Sequence, residues 1–123
     1  MELKVIDCEF SVCKVKSFAG IDISRRYTFT ACTDEELSLV CPTEFVPAET
    51  LEREDGWRAF RICGVLDFSL VGILARIASV LAEEQIPVFV VSTYNTDYVL
   101  VKKELLFEAT AALTGHGYQI MEP

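Results

Sequence analysis

A chain of 123 residues with 51% hydrophobic content and a formal charge of -8 is long enough for one compact core or two small interlocked subdomains, and too apolar to be disordered. The acidity argues against nucleic acid as a partner, because that affinity depends on Lys and Arg neutralising phosphates. No apolar run reaches the roughly 18 residues of a bilayer span, and Met1 to Cys8 lacks the basic start and apolar stretch of a signal peptide, so a cytoplasmic protein with no membrane partner is expected.

Leu3 to Val15 alternates in a way that fits one extended segment with a buried face. Ser17 to Arg26, broken by Gly20, holds at most a short helical turn. Tyr27 to Thr33 is rich in aromatic and β-branched residues and reads as a strand. Thr33 to Glu36 is a turn, and Leu37 to Cys41 is a short strand ended by Pro42. The first half is therefore three strands with almost no helix. Thr43 to Gly56 reads as a connection. From Asp34 to Asp55 eight carboxylates stand against the single Arg53, the pattern of a solvated face.

Five cysteines, Cys8, Cys13, Cys32, Cys41 and Cys63, form no C-x-x-C pair and are expected to be reduced, with all but Cys41 inside apolar, strand-like segments of the core. Their spacing does not suit zinc, and His116 is the only histidine, so neither a metal nor a cofactor is expected.

Trp57 to Leu66 alternates again as a strand. The period then changes: Leu70, Ile73, Leu74, Ile77, Ala78 and Leu81 recur at helical spacing, with Arg76, Ser79, Glu83 and Glu84 opposite, predicting an amphipathic helix from Leu70 to Gln85. Asp67 or Ser69 can cap it and Pro87 stops it. Val88 to Val91 reads as a strand covered on both faces. Asn95-Thr96-Asp97 supplies a turn into a returning strand, Tyr98 to Val101. A helix from Lys103 to Leu113 stopped by Gly115 and a last strand around Tyr118 to Ile120 complete the order βαββαβ, the split-βαβ, ferredoxin-like arrangement.

Leu66-Asp67 before a glycine-containing helix start, then Ile86 to Tyr94, then Asp97 to Val101, resemble an ACT domain. Leu37 to Pro42 extends the resemblance to small bacterial proteins that pair a degenerate ACT-like first half with a complete second one. They are also similar to the ACT pairs of the animal cytosolic arginine sensor. The resemblance implies an α+β protein of two ferredoxin-like ACT subdomains, the N-terminal one degenerate and strand-rich. Residues 1–56 would hold that subdomain with its acidic connection, and residues 57–123 the ACT domain.

The same resemblance implies an amino acid as ligand. Asp67, Phe68, Ser69, Leu70, Val71 and Gly72 would form the loop that holds its ammonium and carboxylate, and Tyr94, Thr96 and Asp97 the hairpin contacts to its side chain. Residue chemistry is compatible with this. A helix start offers unpaired N–H groups and partial positive charge to a carboxylate; Gly72 permits close backbone approach; Asp97 can pair with a cation. Equally, Asp67 or Ser69 can simply cap the helix and Asp97 can be an Asx-turn residue. No enzyme constellation is present: His116 lies in a helix-stop loop away from any nucleophile, and the Glu83-Glu84 and Glu35-Glu36 pairs lie on polar faces. The expectation is a non-catalytic amino-acid-binding regulatory module, its partners being the ligand and a second copy of the chain. The alternative is a ligand-free interaction module that uses its acidic connecting face.

Overall fold

The computed structural model describes residues 1–64 and 71–123. In chain order its elements are β1 (Glu2–Val5), β2 (Phe10–Val15), β3 (Phe29–Cys32), β4 (Leu37–Pro42), β5 (Glu52–Ile62), α1 (Ile73–Glu83), β6 (Phe89–Ser92), β7 (Asp97–Lys102), α2 (Leu106–Gly115) and β8 (Gln119–Met121). The chain divides into two compact units, one of Met1–Asp7 with Arg58–Pro123 and one of Cys8–Trp57, so β5 contributes to both.

In the first unit, the C-terminal part of β5 is followed by α1, β6, β7, α2 and β8, the βαββαβ order expected of a ferredoxin-like fold. The strand order is β6-β7-β5-β1-β8. The N-terminal strand β1 lies antiparallel to β5, with Leu3 opposite Ile62, and parallel to β8, with Leu3 opposite Ile120. Bonds beyond the strand ends lengthen both ladders: Ile6 donates to Ala59, Cys63 to Glu2 and Gln119 to Met1, all at 2.9–3.0 Å.

One core layer lies between this unit's sheet and its two helices. Leu3 and Val5 of β1, Phe60 and Ile62 of β5, and Val99 and Val101 of β7 meet Ile77, Val80 and Leu81 of α1 and Ala109 and Leu113 of α2. Alternation places every second strand residue inward, and spacings of three and four do the same on the helices. Arg76, Ser79, Glu83 and Glu84 are exposed, as the amphipathic pattern predicts.

Both helix ends differ from expectation, for the same reason. Gln85 adopts φ 61°, and the Ile86 N–H reaches the Leu81 carbonyl while Gln85 N–H reaches Ala82, a Schellman turn that ends α1 before Pro87 is met. At α2 the left-handed residue is Gly117, at φ 91°, with Tyr118 bonded to Leu113 and Gly117 to Thr114; Gly115 is the last helical residue. In each turn the following apolar residue, Ile86 or Tyr118, joins the core. β6 is an edge strand, its apolar residues half-buried, where a strand covered on both faces was expected. The predicted Asp67 or Ser69 cap lies outside the described residues.

The second unit contains β2, β3, β4 and the N-terminal part of β5, all antiparallel in the order β3-β4-β2-β5, with a single 3-10 turn at Thr43–Phe45 and no α-helix. Two sequence readings are corrected here. Leu3 to Val15 is two strands, parted at Ile6–Glu9. Glu52 to Gly56 belongs to β5 and not to a connection: its charged side chains are exposed, and a bulge at Gly56, φ 81°, hides the strand's alternation. The acidic segment is also not wholly solvated. The Asp55 carboxylate accepts from the buried Ser11 hydroxyl at 2.6 Å and from Arg53 at 3.0–3.1 Å.

Cys13, Val15, Leu39 and Cys41 form this unit's buried cluster, closed by Phe18, Ile21, Leu37 and Val46. All five cysteines are reduced, outside any disulfide. Cys32, read from sequence as a core residue, is exposed, because β3 is an edge strand whose burial falls away towards its end. Burial raises the Cys13 pKa and pushes that of Cys41 up to about 11, with the neighbouring Cys13 adding to the effect. A thiol-alkylating reagent at pH 8 should therefore label Cys32 first and Cys41 last, as read by peptide mass spectrometry over time. Because folding favours the protonated Cys41 thiol, its contribution to stability is full below about 9 and is lost as pH climbs towards about 11.

Candidate functional site

The helix α1 begins at an unusual cap. Gly72 holds φ 81° and ψ -1°, and among the described residues no side chain caps the helix there; the Arg76 N–H closes the first turn on the Gly72 carbonyl at 3.0 Å. Only a residue without Cβ takes this left-handed conformation without strain. Val71, just before it, is 83% exposed. Backbone donors of the first turn thus open at an exposed position, which suits a negatively charged group.

The hairpin between β6 and β7 is built around two threonines. Thr93 N–H and hydroxyl both donate to the Thr96 carbonyl, at 2.8 and 2.9 Å. Thr96, only 6% exposed, donates its own hydroxyl to the Ile62 carbonyl at 2.7 Å. This bond ties the hairpin tip to the end of β5. Ser92 pairs with Asp97 across the hairpin. Asp97 is half-buried, and no hydrogen bond or ion pair engages its carboxylate among the described residues. Tyr94, at the tip, is 79% exposed.

Of the residues that sequence reasoning assigned to a ligand, Asp67, Phe68, Ser69 and Leu70 lie outside the described residues. Val71 and Gly72 sit at the helix start, and Tyr94, Thr96 and Asp97 at the hairpin. Thr96 has a structural task that the sequence did not announce, since its partner is a main-chain carbonyl 34 residues away. Ile62 was not anticipated for the same reason, whereas Thr93 braces the hairpin through a partner only three residues on. Among the described residues no group of three His, Cys, Asp or Glu side chains is placed to hold a metal ion, and no helix is long and apolar enough to cross a membrane.

Replacing Thr96 by Val keeps shape and branching but leaves the Ile62 carbonyl without its donor. The expected cost is about 1–3 kcal/mol in urea unfolding, where Thr93→Val, nearer solvent, should cost less.

Comparison with known proteins places the fold. The profile of the ACT domain family matches residues 52–115, a little over half of the chain. A search of the curated proteins finds no match. Among solved structures, an Agobacterium tumefaciens protein is 25% identical with a TM-score of 0.89, over 99% of this chain and 92% of that one. A Vibrio cholerae protein of unknown function, described as a possible transport protein, is 23% identical with a TM-score of 0.72, over 93% and 88%. The ligand-free regulatory subunit of aspartate kinase from Thermus thermophilus is 12% identical with a TM-score of 0.59, over 92% and 95%, a likeness of fold. With the βαββαβ order, the helix-start glycine and the family match in agreement, this chain belongs to the ACT domain family.

Proposed function

We propose that this protein is a non-catalytic regulatory module that binds an amino acid at the shelf formed by the helix start of α1 and the hairpin tip. ACT domains are generally small-molecule regulatory modules, and the fold neighbours include an aspartate kinase regulatory subunit. The observation that carries the reading is the Thr96 to Ile62 hydrogen bond, which holds the hairpin tip at the end of β5. The first-turn amides after Gly72 suit a carboxylate, and Asp97 suits an ammonium or guanidinium. On the family resemblance, Asp67, Phe68, Ser69 and Leu70, with Val71 and Tyr94, are further candidates for contacting the ligand.

The module works as a homodimer in the cytoplasm. β6 supports this, because an edge strand offers its outer hydrogen-bonding groups to a second copy, and a ligand site at such an edge couples binding to assembly.

A thermal-shift screen against the twenty amino acids tests the proposal. A ligand at about 100 times its dissociation constant should stabilise the protein by roughly 2.7 kcal/mol, and Asp97→Ala should abolish the shift for a basic amino acid. Silence towards all twenty would overturn it in favour of a protein-interaction module using the acidic face, from which Asp55 is already withdrawn by Ser11 and Arg53.

A further inference from the structure

A groove of about 420 Å³ runs along the helical side of the ACT unit, away from the hairpin residues. Arg76 and Ser79 of α1 line it on one side and His116 on the other; Ala75, Val80 and Tyr118 supply its apolar surface, and Gly72 its end. Arg76 is exposed and has no ion pair or side-chain hydrogen bond among the described residues. Its guanidinium lies over Gly72, with Nη2 4.0 Å from where a Cβ would stand. Its position is electrostatically costly: it stands early in α1, where a cation opposes the helix dipole, and the first turn holds no acid to offset it. In a chain of net charge -8, a cation with no acidic partner among the described residues at such a place breaks a local rule.

His116 is held in place from the opposite side. As the cap residue of the α2 Schellman turn it is fixed in backbone, and its Nδ1 lies 2.9 Å from the Ala112 carbonyl. With the Nδ1 proton donated there, Nε2 is the ring atom left for another partner: an acceptor in the neutral ring, a donor in the imidazolium.

We propose that this groove binds a small organic anion, its carboxylate or phosphate held by Arg76, with the Ser79 hydroxyl and, as the imidazolium, His116 Nε2 donating hydrogen bonds to it, and its apolar body laid on Ala75, Val80 and the Tyr118 ring. A planar guanidinium matches both anions through paired N–H donors. The groove shares only Gly72 with the amino-acid shelf, so the two sites are separable by mutation.

The test is an amide NMR titration of the full chain with benzoate, phenyl phosphate and benzyl alcohol, which share a ring and differ in charge. Benzoate, phenyl phosphate or both should move the signals of Arg76, Ser79 and His116, and benzyl alcohol should not. Arg76→Gln should weaken the binding about tenfold while leaving the melting temperature near that of the parent, and Asp97→Ala should leave it unchanged. Response to benzoate alone assigns a carboxylate ligand, to phenyl phosphate alone a phosphorylated one, and to both the shared anion chemistry. The proposal is overturned if neither anion moves these signals, if benzyl alcohol moves them equally, or if Arg76→Gln binds as the parent does. Failure of the amino-acid screen leaves these outcomes untouched.

Discussion

The ACT unit depends on β1 filling the space between β5 and β8. A buried strand must satisfy its N–H and C=O groups on both sides, and the partners of β1 come from segments far along the chain. A simple ferredoxin-like sheet would pair β5 with β8 directly. Here Leu3 and Val5 instead enter the layer beneath the helices, beside Phe60 and Ile62. The platform under α1 and α2 is wider by one strand, and both helices gain apolar residues to cover. The position of α1, and with it Gly72 and Arg76, rests on that platform.

Much of this was legible in residue patterns. The apolar strand runs of β5 and β7 and the period-3.6 run of α1, which follows from one buried face, mark the βαββαβ order. What pattern could not show was anything decided by distant partners. Leu3 to Val15 alternates throughout, yet it is two strands, β1 between β5 and β8 and β2 between β4 and β5, and the break between them leaves no turn signal of Gly or Pro. Gln85 ends α1 in a conformation usually reserved for Gly or Asn, so residue identity pointed past it to Pro87. Glu52 to Asp55 looked like a linker because strand residues are seldom so uniformly charged, and the Gly56 bulge broke the alternation that would have exposed them.

The site was readable in part. Asp97 and Gly72 stand out by chemistry and by conformational need, and the family likeness marks the segments that carry them. The hydroxyl of Thr96 was assigned to a ligand, and it is already given to Ile62. Arg76 was correctly placed on a polar face, but only the approach of His116 and Tyr118 from the turn after α2 makes that face a groove. A single helix seen in sequence carries no information on what its exposed side will meet.

The intercalated strand also sets an order of events. β1 is synthesised before residues 58–62 and 119–121, which flank it and follow much later in the chain. Contacts of such long sequence separation slow folding, because loop closure must precede any pairing gain. Until β8 is made, β1 has at most one of its two neighbours, and its other side stays open to any extended segment nearby. The widened platform is therefore the last part of the unit to close, and the period before closure is when the nascent chain is most exposed to mispairing.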